Sequence, residues 1–258
     1  MTDEATQKVL VTREGAVLVV TINRPESRNA IDRETSLALA EAMDQLDSDP
    51  ALSLAILTGA GDHFCAGMDL KAFVAGERVE LPGRGLAGMT QSPPAKPLIA
   101  AVEGYALAGG FEIALACDLI VASETAQFGL PEAKRGLIAG SGGLVRLPER
   151  VPRQIAMECA LTGRMIPAAE AERWGLINRL SAPGAALDTA KSLAAEIAKN
   201  APMSLAASKE IVAQAGRWSE DSLWPRQNEI LERVIASRDA REGATAFAEK
   251  RPPVWKGR

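Results

Sequence analysis

A single histidine, His63, in a chain of 258 residues removes most of the material for imidazole-based acid–base chemistry. Cysteine is scarce too. Cys65, Cys117 and Cys159 are widely spaced, odd in number and form no Cys-x-x-Cys pair. Neither a disulfide framework nor a zinc site is suggested, and a reducing cytoplasm is the simple expectation. No lysine/arginine run stands out; with a formal net charge of −4 and a pI of about 5.3, nucleic acid is not an expected partner. The longest apolar region, Leu98 to Ala122, is broken by Glu103, Glu112 and Asp118, which argues against a membrane span. The opening MTDEATQKVL has acidic residues and no apolar core, so it does not read as a secretory signal.

What is present is ordinary for a globular protein, with 47% hydrophobic and 24% charged residues. That length can bury a core without disulfides or metals. Residues 9–25, VLVTREGAVLVVTINRP, alternate around a Glu-Gly turn and predict a hairpin. Residues 32–48 carry apolar side chains at helical spacing and stop at Asp49-Pro50. SLAILTG (53–59), PLIAAVEG (97–104) and CDLIVAS (117–123) read as buried strands, with a helix expected from about Gly109. Residues 76–92 show no period and read as a mobile loop. Helices are expected over 141–149, 151–161, 167–174, 185–199, 203–216, 220–237 and 240–250. Recurrent strand–loop–helix units imply an α/β architecture, with a core over 1–195 and a helical segment over 196–258.

Two glutamates stand out. Glu112 in AGGFE and Glu132 in FGLPE each follow a glycine- or proline-marked turn, and an almost uncharged stretch separates them. Paired carboxylates at an apolar pocket suit proton transfer, one holding a water while the other donates a proton. The plainer reading is that each merely complements a helix N-terminus. Cys65-Ala66-Gly67-Met68 and Ala108-Gly109-Gly110 place small residues where backbone N–H groups can face outward, as an oxyanion hole requires; the plainer reading is a pair of turns. His63 and Cys65 lack partners that would activate them, so a hydrogen-bonding histidine and a small buried thiol are expected. Gly140-Ser141-Gly142-Gly143 reads either as a phosphate site at a helix start or as a tight turn. The loop after residue 59 lacks both the GxGxxG pattern and a following GK[ST].

Taken in order, several segments resemble the crotonase (enoyl-CoA hydratase/isomerase) family. They are Asn23-Arg24-Pro25 with Arg28-Asn29-Ala30, LTGAGDHFCAGMDLKAF (57–73), KPLIAAVEGYALAGGFEIALACDLIVA (96–122), AQFGLPEAKRGLIAGSGGLVRLP (126–148), LTGRMIPAAEAERWGLINRL (161–180) and EGATAFAEKR (242–251). The resemblance implies a spiral of ββα turns with a helical C-terminal trimerisation segment, as a homotrimer or a dimer of trimers. It implies an acyl-CoA thioester as substrate and no separate cofactor or metal. The thioester oxygen would be held by the backbone N–H groups of Met68 and Gly109. Arg28, Ala30, Ala66, Asp69, Leu70 and Lys71 match the stretch along the CoA. Gly140 matches a position that helps place water. Phe247 and Lys250 match positions reaching the CoA of an adjacent subunit.

Glutamates at both Glu112 and Glu132 resemble the hydratases of the family, whereas its 3,2-enoyl-CoA isomerases keep only the second. Hydration of a 2-enoyl-CoA, in fatty-acid or related acyl-CoA metabolism, is the leading expectation. FGLPEAKRGLIAGSGGLVRLPERVPRQIAMECALTGR and the ending AFAEKRPPVWKGR also resemble carnitinyl-CoA dehydratases. Their quaternary ammonium substrate would call for aromatic or acidic residues at the pocket, and aromatics are only 4% of this chain. A non-catalytic CoA-binding or RNA-binding relative is the reading from another class. The glutamates speak against the first and the acidic pI against the second.

Overall fold

The computed structural model describes residues 7–257. Strands β1 (Val9–Glu14) and β2 (Val17–Ile22) form an antiparallel hairpin that turns at Gly15, whose φ is 62°. Helix α1 (Arg33–Ser48) is capped by the Asp32 carboxylate, which accepts from Thr35 N–H at 2.8 Å. β3 (Leu54–Gly59), β4 (Leu98–Val102), β6 (Leu119–Ser123) and β9 (Arg179–Ser181) extend the sheet in the order β1-β2-β3-β4-β6-β9, each parallel to its predecessor from β3 onward.

The near-continuous apolar runs of β2 to β4 follow from burial on both faces. With a period of two, Leu18, Val20, Ile22, Ala55, Leu57, Leu98 and Ala100 face the main core. Val19, Leu54, Ile56, Ile99 and Ala101 face the other way, against Ala190 and Ala194 of α7 (Ala186–Ile197).

A second layer explains the spiral. β5 (Tyr105–Leu107), β7 (Gln127–Gly129) and β8 (Ile166–Pro167) form a small sheet, and Cys65 joins β5 by a parallel bridge to Ala106. Three turns of the chain thus repeat one plan. β3, Cys65 and α2 (Leu70–Val74) make the first; β4, β5 and α3 (Gly109–Ala116) the second; β6, β7 and α4 (Gly143–Arg150) the third. The second-layer segments stack, so the residues just after them stack too. Those residues are Met68, Gly109 and Glu132.

α5 (Arg153–Thr162) and α6 (Ala168–Arg173) precede β9, and α8 (Pro202–Gln214), α9 (Glu220–Ile235) and α10 (Arg238–Glu249) follow α7. Among the described residues, no helix is long and apolar enough to cross a membrane. One expectation changes. Residues 76–92 are irregular but packed: Val79, Leu86, Ala87, Met89 and Thr90 are buried, and Leu81 bridges Gly85. The missing period reflects a coil folded back on itself with its apolar side chains inward.

Candidate active site

The loops at Gly67 and Gly109 touch because both lack side chains. A methyl on Gly67, where φ is 104°, would stand 2.9 Å from Ala108 Cβ and 3.1 Å from Gly109 N; one on Gly109 would be 3.4 Å from Met68 N. Ile31 N–H donates to Gly67 O and Asp69 N–H donates to Ile31 O, so the ladder skips Met68. Gly109 is the first residue of α3, where N–H groups have no partner within the helix. Ala108 sets the direction of that turn at φ 51° and ψ −129°, a strained conformation for alanine, and is tied by its N–H to Gly129 O at 2.9 Å. Among the described residues, neither Met68 N–H nor Gly109 N–H donates a backbone hydrogen bond, and both residues line one cleft of about 390 Å³.

Glu112 lies in the first turn of α3 and is 3% exposed. Its Oε1 accepts from Ser141 N–H at 2.7 Å and Gly143 N–H at 2.8 Å. The glycine-rich 140–143 turn is therefore closed around an internal carboxylate, which resolves the phosphate-or-turn alternative. Burial pushes the Glu112 carboxyl above the usual range. The two N–H donors and Arg146 oppose that rise, and Glu80 adds to it. Glu132 sits in the 3-10 turn Pro131–Arg135, not in an α-helix. Its Oε2 is buried and has no hydrogen-bond partner among the described residues. Burial raises this carboxyl as well; its own backbone N–H and Arg135 pull it down, while the negative charge of Glu112 pushes it up. Two carboxyls with raised proton affinity, that of Glu132 raised further by the charge of Glu112, thus face one cleft.

Arg28, Ala66, Leu70 and Gly140 line the same cleft. Ala30, Asp69 and Lys71 line an adjoining groove that shares Ala66, Met68 and Leu70 with it. The Asp69 carboxylate is already engaged: it caps α2 through Lys71 and Ala72 N–H and pairs with Arg24 at 3.0 Å, which holds it below the usual carboxylate range once burial is overcome. Arg24 also pairs with Asp32 and donates to Ala30 O, and it was not among the predicted site residues. Asn29 (φ 57°) buries its amide to donate to Ala60 O and His63 O, which fixes the bend at Arg28. His63 stacks on Tyr105 at 4.5 Å and accepts from its N–H, as a hydrogen-bonding histidine would. Cys65 is wholly buried, and burial pushes its thiol up to about 12. Phe247 and Lys250 lie at the end of α10 and do not line the cleft; Phe247 is 88% exposed.

Glu80 and Leu86, from the irregular 76–92 segment, line the cleft as well. No local pattern marked them, because only the folding-back of that segment brings them there.

The sequence model described as enoyl-CoA hydratase/isomerase matches residues 12–258. A carnitinyl-CoA dehydratase of Proteus mirabilis is 45% identical over 98% of this chain and 99% of its own. Among solved structures, an enoyl-CoA hydratase of Mycobacterium marinum superposes with a TM-score of 0.95 at 57% identity, covering 97% of this chain and 99% of that one. A carnitinyl-CoA hydratase of Mycobacterium avium gives 0.78 at 45%, covering 98% and 99%. Fold, second-layer stacking and matched length agree, and the chain belongs to the enoyl-CoA hydratase/isomerase family, the crotonases.

Proposed function

We propose that this protein is an enoyl-CoA hydratase, reversibly adding water to a trans-2-enoyl-CoA thioester. Hydro-lyase chemistry on CoA thioesters is the activity of the family's hydratases and dehydratases. The observation that carries the finer reading is the unlike bonding of the two carboxyls in one cleft. Glu112 has one oxygen fixed by two N–H groups, while Glu132 has a buried oxygen with no hydrogen-bond partner among the described residues.

In this reading the thioester oxygen accepts from Met68 and Gly109 N–H, which stabilise the negative charge that develops as an enolate forms. One water lies between the glutamates, with Gly140 helping to place it. Glu112 takes its proton as it attacks the β-carbon, and Glu132 delivers a proton to the α-carbon. Arg28, Ala30, Ala66, Asp69, Leu70 and Lys71 flank the CoA. Asp69 would do so by holding Arg24 and α2 in place, its carboxylate being occupied. Glu132→Gln should lower crotonyl-CoA hydration by about 10²–10⁴-fold; unchanged turnover sinks the mechanism. A 3-enoyl thioester assayed in heavy-oxygen water separates hydration from 3,2-isomerisation, since only hydration places the label in product.

A second reading is dehydration of a thioester bearing a quaternary ammonium group. The carnitinyl-CoA names of several relatives favour it, and so does Glu80, a carboxylate lining the cleft with no ion-pair partner among the described residues. A kinetic screen of thioesters varying in acyl length, branching and charge decides. A cationic acyl group turned over at least as well as crotonyl-CoA, with the preference lost in Glu80→Gln, would place this reading first.

A further inference from the structure

Arg146 stands on α4 just beyond the turn that clasps Glu112, and its side chain folds back over that turn. Gly142, between the two donor residues, has φ 104°; a methyl there would lie 2.1 Å from Arg146 Nη1 and 3.3 Å from Cζ. The guanidinium therefore rests on the backbone that presents Ser141 and Gly143 to Glu112. Its Nη2 donates to Thr90 O at 2.6 Å, in the packed 76–92 segment. One side chain thus ties three parts together: the irregular segment, the clasping turn and, through its charge, the carboxylate of Glu112.

We propose that Arg146 is a positioning residue, holding the 141–143 turn against Glu112 and keeping that buried carboxylate ionised. This rests on the hydratase reading, in which Glu112 is the base. The balance around Glu112 shows why a cation is needed. Burial and Glu80 from the 76–92 segment both favour its neutral form. Only the two N–H donors and Arg146 favour the charged one. Arg146 is itself half-buried and crowded by Arg150 on its own helix and Arg217 after α8, with Glu149 and Glu112 compensating. An arginine keeps its charge there where a lysine would more readily lose it, and its planar fork serves the turn and Thr90 at once.

The test is the pH profile of kcat/KM for crotonyl-CoA in Arg146→Gln and Arg146→Lys, with thermal melts to confirm folding. Loss of the charge should move the acid limb to higher pH in Arg146→Gln, lower kcat and leave KM near the parent value. Lysine should return the limb towards its parental position while kcat stays reduced. An acid limb unmoved in Arg146→Gln overturns the proposal and leaves only packing. Should Arg146→Gln not fold, the lysine variant decides alone: a limb in place with lowered kcat supports the proposal, and a parental kcat overturns it. Full turnover by Glu112→Gln, measured alongside, would instead sink the hydratase reading beneath it.

Discussion

Burying a carboxylate is costly unless it is well bonded, and Glu112 and Glu132 show two degrees of that cost. Both carboxyls have folded-state proton affinities above their ordinary value, so the ionised form is the penalised one. The penalty is present in full above the folded pKa, fades as pH falls through it towards the unfolded value of about 4.3, and is gone below that. Glu132→Gln should therefore melt higher than the parent near pH 8, with the gap closing towards pH 4; a variant melting lower throughout would contradict this. The thiols offer a second check at this scale. Burial pushes Cys65 and Cys117 up to about 12, so iodoacetamide should label neither in the native protein and both in denaturant. The glutamates and the small-residue segments were legible because each carries its own local mark. Glu80 and Arg146 carry none: one comes from an aperiodic stretch, and the other resembles any helix-surface arginine until its side chain is seen crossing to Thr90.

At the level of elements, the close stacking of successive turns sets hard limits on volume. A methyl on Gly110 would lie 2.1 Å from Cys65 O, a backbone atom that cannot swing away. Gly110→Ala should cost about 1–3 kcal/mol or more in urea unfolding, since overpacking here means moving α3 away from the Cys65 backbone. A parental midpoint would show that the turns are looser than drawn. β2, β3 and β4 were readable from sequence because burial on both faces leaves unbroken apolar runs. β5, β7, β8 and β9 were not. Two or three residues hold no period, and these strands exist because the turn before them fixes where they lie.

For the whole molecule, the C-terminal helices leave Val212, Trp224, Ile235 and Phe247 exposed in the single chain. The resemblance to trimeric crotonases gives them a use, and we expect sedimentation at the mass of a trimer or of two stacked trimers. Phe247→Asp should shift that mass downward and raise KM for CoA thioesters, because Phe247 and Lys250 would reach a neighbour's CoA. A parent that is monomeric and fully active would refute this. The α/β class was legible from recurring units, whereas the stacking that brings Met68, Gly109 and Glu132 together depends on contacts between turns.

The neighbouring positions of β6 and β9 have a further consequence. The chain leaves the sheet at Ser123 and rejoins it beside the same strand at Arg179, so everything between is a detour whose length the sheet does not register. Glu132, the clasping turn and Arg146 all ride on that detour, which is moored to the turn before it where β7 pairs with β5 and Ala108 N–H donates to Gly129 O. The proposed proton donor and its clasp thus sit between fixed strands, and changes there need not shift the register of the six-stranded sheet.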